Sequence, residues 1–299
     1  MSRQTLSLII PAYNEGARIK EAVEEVSHYF STRNGLKLKE IIVVDDGSED
    51  DTLKQVAACK VTCGSLVILE NQQNQGKGAA VKKGVLEASG DSILFIDADL
   101  STPLRCVDRL MDALENGADI AIGSRALKGS NLIQRQPLYR ELSGRFFNLL
   151  VQLFFVGGFW DTQCGFKLFR ADVGQRLFSQ VRIRGFAFDV EFLRRAKASG
   201  CKIAEVPVEW INDPDSKVKM LRDPFFMIRD LFEVSAVDFF CRLRGVGNHA
   251  RKEALQAQRN PKLDSAIALI AQASAMSYAS CGYSLQSQDF EGVGQRGHV

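Results

Sequence analysis

Short runs at residues 6–10, 41–44, 66–69, 92–96 and 120–122 are apolar at almost every position and too brief to be helices. That is the pattern of strands in a parallel sheet covered on both faces. Between the first two, Ile19, Val23, Val26 and Phe30 recur at helical spacing. Further helices are predicted from about residue 51, over 79–87 and over 104–114, the last with Thr102-Pro103 as N-cap and first-turn pair. Strand and helix thus alternate five times with short links, which predicts a doubly wound α/β sheet. Ligands of such sheets bind beyond the carboxyl ends of the strands.

Those ends carry polar residues: Tyr13 and Glu15, Asp45 and Asp46, Asp97 and Asp99, and Arg125. Strand side chains alternate, so Asp97 and Asp99 are expected on one side of the strand tip, where two carboxylates suit a hard divalent cation that grips phosphates. Gly76-Lys77-Gly78 follows the third strand and reads equally as a tight turn before a helix or as a phosphate contact. It is no dinucleotide fingerprint, because Val81 stands where the third glycine or alanine belongs.

The pattern changes after Arg125. Residues 126–137 are polar and read as a mobile loop. Arg140 and Arg145 lead into a strongly apolar helix at 146–155, and residues 224–243 carry Phe225, Phe226, Phe232, Phe239 and Phe240 between basic flanks. Both fit an interfacial membrane helix, or helices packed on the sheet and on each other. Asp189 and Glu191 open a helix, where they offset its dipole. Cys164 reads as a small packing residue.

Composition narrows the class without naming it. The 299 residues are 45% hydrophobic and 25% charged with a net charge of +2, so no overall field favours nucleic acid. Seven scattered cysteines without a Cys-x-x-Cys pair argue against zinc and for a reducing compartment. A strand starting at residue 6 predicts no signal peptide, and no apolar run is long enough to predict a spanning helix.

Five stretches now stand in order: Ile-Pro-Ala-Tyr-Asn-Glu (10–15), Val-Val-Asp-Asp-Gly-Ser-x-Asp-x-Thr (43–52), Asn-x-Gly-Lys-Gly (74–78), Asp-Ala-Asp-Leu-Ser (97–101) and Gly-Ser-Arg (123–125). Together they resemble the inverting family-2 glycosyltransferases of the GT-A fold. Asp-Thr-Gln-Cys-Gly-Phe-Lys-Leu-Phe (161–169), Glu-Val-Pro-Val-x-Trp (205–210) and Ser-Lys (216–217) resemble the polyprenyl-phosphate group within it, nearest the dolichyl-phosphate glucosyltransferase branch. The resemblance implies a mixed, mostly parallel α/β sheet with helices on both faces over residues 1–244. Membrane-facing amphipathic helices would lie near 140–158 and 224–243, ahead of a low-complexity, disordered tail at 245–299.

It also implies roles. Pro11, Tyr13, Glu15, Val44 and Asp46 would hold the nucleotide base and ribose, with Lys77, Asp97 and Ala98 along the ribose and diphosphate. Asp99 would ligate Mg²⁺ or Mn²⁺, with Ser101 as a second metal-side position. Arg125, Lys217 and Arg140 would face the diphosphate and the acceptor phosphate. Relatives using GDP-mannose carry an arginine just before the Ser-Lys, where this chain has Asn212-Asp213-Pro214-Asp215, so a UDP-sugar is the expected donor. The implied acceptor is a polyprenyl or dolichyl phosphate, reached peripherally on the cytoplasmic side of a membrane (endoplasmic reticulum or bacterial plasma membrane), with a membrane-anchoring partner or a homo-oligomer as the implied protein partners. A soluble saccharide or protein acceptor, another nucleotide-sugar donor, and a non-catalytic nucleotide-sugar sensor are the competing readings.

Overall fold

The computed structural model describes residues 4–33, 36–134, 138–212 and 226–235. Its centre is a seven-stranded sheet built from β1 (Thr5–Ala12), β2 (Lys37–Asp45), β3 (Ser65–Glu70), β4 (Ser92–Ile96), β5 (Ile120–Ser124), β7 (Phe166–Arg170) and β8 (Ile203–Pro207). The order across the sheet is β3-β2-β1-β4-β7-β5-β8. All pairings are parallel except those of β7, which runs antiparallel between β4 and β5. Strand order reverses at β1 and β4, the switch point where such sheets open a ligand crevice.

Alternation along the strands feeds two cores. Ile9, Ile42, Val44, Ile93 and Phe95 face one layer, which includes α3 (Lys77–Glu87), α5 (Leu138–Phe154), α6 (Ala171–Gln180) and α7 (Phe188–Ala198). Leu8, Ile10, Ile41, Val43 and Leu94 face the other, with α1 (Ile19–Ser31), α2 (Thr52–Ala57) and α4 (Val107–Glu115). Ile19, Val23, Val26 and Phe30 are all buried, as their spacing predicted. The first layer holds an aromatic cluster in which Phe169, Phe178, Phe188 and Phe192 pack at centroid separations of 4.7–6.3 Å.

Three expectations are corrected. The 104–114 helix opens with a 3-10 turn, Leu104–Cys106, and no side chain caps it. The segment read as a loop contains β6 (Asn131–Gln134), which pairs in parallel with β9 (Glu209–Ile211) in a second small sheet. Residues 161–169, read only as a motif, lead into β7, whose start lies level with the end of β4 through the pair Ile96↔Phe166. A further helix, α8 (residues 226–235), covers the middle of the predicted 224–243 helix. Lys217 and the tail at 245–299 lie outside the described residues, and nothing is said of the Arg140 side chain, although its backbone is in α5.

Candidate active site at the carboxyl ends of the strands

The rim is assembled from turns stitched to one another. After β1, Asn14 N–H donates to Ser48 Oγ at 2.8 Å, Glu15 N–H to Thr52 Oγ1 at 2.8 Å, and Glu49 N–H to Asn14 Oδ1 at 2.8 Å. Tyr13 and Pro11 are half-buried beside them, and Glu15 pairs with Arg18 at 3.0 Å. After β2, Asp46 is buried and its carboxylate accepts Asn71 Nδ2 at 2.8 Å, Gln75 N–H at 2.9 Å and Gly76 N–H at 2.7 Å. Burial raises its pKa against these bonds. Asp46 therefore shapes the turn that enters α3. Gly76 adopts φ of +99° there, where a Cβ would meet Arg184 O at 2.5 Å. The Val44 side chain is fully buried and packs in the core.

That turn delivers Lys77 to Asp97 Oδ1 at 2.6 Å. Burial works against the Lys77 ammonium, yet Asp97 and then Asp189 hold its pKa above the usual lysine value. β4 ends at Ile96, so Asp97, the buried Ala98, and Asp99 sit in a turn past the strand. Strand alternation therefore does not orient the acids; Leu100, at φ of +48°, closes the turn instead. Asp99 Oδ1 accepts Ser101 N–H at 2.9 Å. Burial and then the charge of Asp97 raise the Asp99 pKa. A carboxylate in such surplus negative potential suits a hard divalent cation. Among the described residues no group of three or more His, Cys, Asp or Glu is placed to hold a metal alone.

Gly165 completes this corner. Its carbonyl accepts Asp97 N–H at 3.2 Å, and a Cβ on it would lie 2.0 Å from Asp97 Oδ2. Beneath, Lys167 and Asp189, both nearly inaccessible, pair at 2.7 Å. The Lys77 and Lys167 ammoniums each lie 5.6 Å from the centre of the Phe95 ring. Asp189 is a buried counter-charge rather than simple compensation for a helix dipole. Glu191 is structural: its carboxylate takes Arg182 N–H and Ile183 N–H at 2.9 and 2.8 Å and pairs with Arg195 at 2.6 Å.

Arg125, at the end of β5, is held by Asp161, which takes its Nε–H at 2.6 Å, an Nη2–H at 2.9 Å and its backbone N–H at 3.0 Å. Burial works against both charges, but Arg125 keeps the Asp161 pKa low and Asp161 in turn holds the guanidinium charged. The Trp210 ring lies 5.5 Å from the guanidinium carbon. Cys164, beside this pair, is buried and its thiol pKa is pushed up to about 12, as befits a packing residue. Asp161 escaped the reading of individual residues because its partner lies 36 positions away; its place as the acid opening the 161–169 motif was the available signal.

Residues 7–178 match glycosyl transferase family 2. The chain belongs to that family. Within it, the chain is 36% identical over 239 residues to a dolichyl-phosphate beta-glucosyltransferase of Dictyostelium discoideum, covering 77% of this chain and 73% of that one. It is also 36% identical over 224 residues to the Homo sapiens protein of the same name, covering 71% and 69%. In fold it is similar to glucosyl-3-phosphoglycerate synthase of Mycobacterium tuberculosis in complex with UDP (TM-score 0.57, 24% identity, 77% and 79% covered). The same synthase with Mn²⁺ and UDP-glucose gives a TM-score of 0.53 at 23% identity, covering 71% and 73%. The protein is thus a glycosyltransferase with the mixed sheet of the GT-A fold.

Proposed function

We propose that this glycosyltransferase moves glucose, with inversion, from UDP-glucose to a dolichyl or polyprenyl phosphate. The observation that carries the proposal is the identity to dolichyl-phosphate beta-glucosyltransferases over most of the chain, on a rim where Lys77, Asp97, Asp99 and Arg125 meet. The lipid phosphate is anionic at neutral pH, so one of its oxygens attacks C1 without a general base. The bond from C1 to the diphosphate oxygen breaks on the opposite face and its electron pair leaves with UDP. Alignment is the main requirement.

The rim residues supply that alignment. Tyr13, Pro11 and the Asp46-held turn flank the nucleotide, while Lys77 and Asp97 fix the edge along the ribose and diphosphate. Asp99, with Ser101 beside it, is the proposed seat for Mg²⁺ or Mn²⁺, which when bound supplies Lewis-acid stabilisation of the departing diphosphate. Arg125 acts through direction more than net charge, because Asp161 balances it. Two of its five N–H donors go to Asp161, and the other three have no acceptor among the described residues and serve the phosphates. Lys217 and Arg140 complete the proposed acceptor side.

Lipid access fits an exposed apolar surface. Leu149, Leu153 and Phe154 on α5, Phe232 on α8 and Trp160 are 52–67% exposed, and Phe154, Phe155 and Phe232 cluster at 5.0–6.5 Å. No described helix is long and apolar enough to cross a membrane. The proposed association is peripheral, through these aromatic side chains at the cytoplasmic face.

Purified protein with UDP-glucose, Mg²⁺ or Mn²⁺ and dolichyl phosphate is expected to form a glucolipid that Asp99→Ala abolishes. Parallel reactions with UDP-GlcNAc, UDP-galactose and GDP-mannose are expected to be slower by tenfold or more. Equal product from Asp99→Ala removes the metal role, and preference for another donor removes glucose.

A further inference from the structure

The Glu-Val-Pro-Val-x-Trp stretch at 205–210 has no part in the transfer chemistry above, yet both of its distinctive residues converge on Arg125. Trp210 lies over the guanidinium at 5.5 Å. Glu205 acts one step further back. Its Oε1 accepts Trp160 N–H at 3.0 Å and Asp161 N–H at 2.8 Å, and its Oε2 shares the Trp160 N–H at 3.0 Å. The next link is Asp161, whose carboxylate holds the Arg125 side chain and backbone together.

We propose that Glu205 is a positioning residue for glycosyl transfer: by fixing the backbone of Asp161 it sets the direction in which Arg125 presents its remaining N–H donors. The proposal rests on the reading in which Arg125 faces the phosphates. A charged acceptor on consecutive backbone N–H groups makes strong, directional bonds, and the loop it holds, residues 160–163, carries the only carboxylate described on that guanidinium. β8 itself does not need this carboxylate. It is zipped to β5 from Ile120↔Ile203 to Ser124↔Pro207, and the flanking Val206 and Val208 are buried. Loss of the Glu205 carboxylate therefore frees the 160–161 corner and leaves the strand in place.

The geometry distinguishes substitutions. The oxygen of a glutamine can accept both backbone N–H groups that Oε1 now takes, whereas aspartate, one methylene shorter, cannot reach them and alanine offers nothing. Glu205→Gln is expected within about threefold of wild-type kcat. Glu205→Asp and Glu205→Ala are expected to lose about 10–100-fold in kcat with the KM for UDP-glucose changed less than threefold, in line with a small misplacement of a group acting on the reacting phosphates. On an Arg125→Lys background, which cannot keep the two-pronged grip of Asp161, Glu205→Ala is expected to cost less than a further threefold.

Rates are read with UDP-glucose and dolichyl phosphate in detergent micelles, alongside melting curves; Glu205→Asp carries the test if Glu205→Ala does not fold. Wild-type kcat in Glu205→Asp or Glu205→Ala, or a full additional loss on the Arg125→Lys background, overturns the proposal alone. Wild-type kcat in Arg125→Lys overturns the parent reading of Arg125 and the proposal with it.

Discussion

Alanine at position 165 tests whether the placement of Asp97, as distinct from its presence, matters. A Cβ there would stand 2.0 Å from Asp97 Oδ2, 2.3 Å from Cγ and 2.7 Å from Oδ1. Ordinary carbon–oxygen contacts begin at about 3.3 Å, so the carboxylate must retreat by roughly 1.3 Å. The Lys77–Asp97 contact, now 2.6 Å, then opens to about 4 Å and ceases to be a hydrogen bond. Gly165 is outside the set of glycines with left-handed φ, so alanine strains no backbone, and the obstacle is the end of one side chain. Stability should fall by about 1 kcal/mol, or roughly 2–4 °C in Tm. Activity should fall much further, because about 1 Å of misplacement costs on the order of 10²-fold. The measurement is kcat/KM for UDP-glucose in Gly165→Ala, with melting curves, beside Gly157→Ala, whose Cβ would meet nothing closer than Gln152 O at 3.4 Å. A folded Gly165→Ala enzyme within threefold of wild type would refute the reasoning.

Asp99 has a raised pKa from burial and Asp97, so the folded state holds its proton more tightly than the unfolded chain. Its contribution to stability is present at low pH and is lost as pH rises from the ordinary carboxylate value through the raised one. Asp99→Asn should therefore match or exceed the wild-type Tm at pH 7 while losing transfer, and Mn²⁺ should raise the Tm of wild type only, by scanning fluorimetry. Asp189→Ala should cost about 3–5 kcal/mol in urea unfolding, because it strands the Lys167 ammonium, 1% exposed, in the core. Asp189→Leu combined with Lys167→Met should recover most of that loss. Phe154→Glu and Phe232→Glu should each weaken flotation with liposomes about tenfold or more, since each places a charge on the apolar surface, while transfer to a short, water-soluble polyprenyl phosphate is retained.

The strands and the acids after them were legible because burial on both faces leaves a continuous apolar run that must end at the rim. β7 was not. It contains Lys167, a buried charge that no apolar pattern admits, and Asp189, which neutralises it, follows only on the far side of α6. β6 and β9 are short, and their pairing joins segments whose closeness depends on β5 and β8 lying side by side. Val44 and Asp46 share a motif but differ in setting: the Val44 side chain is buried within β2, whereas Asp46 lies one residue past the strand end, at the turn. The Arg125 support was hidden because Asp161 and the 205–210 stretch that carries Glu205 and Trp210 lie in two parts of the chain, both far from residue 125.

The reversed strand β7 also divides labour along the polypeptide. Everything proposed to grip the nucleotide lies between Pro11 and Arg125, while Gly165, Asp161, Glu205 and the greasy face of α5 and α8 arrive afterwards and brace those groups from the side. A chimera joined just after Arg125 would exchange the lipid-facing half for that of a relative and keep its appetite for the same nucleotide, provided the incoming half brings its own acid for the arginine at the seam.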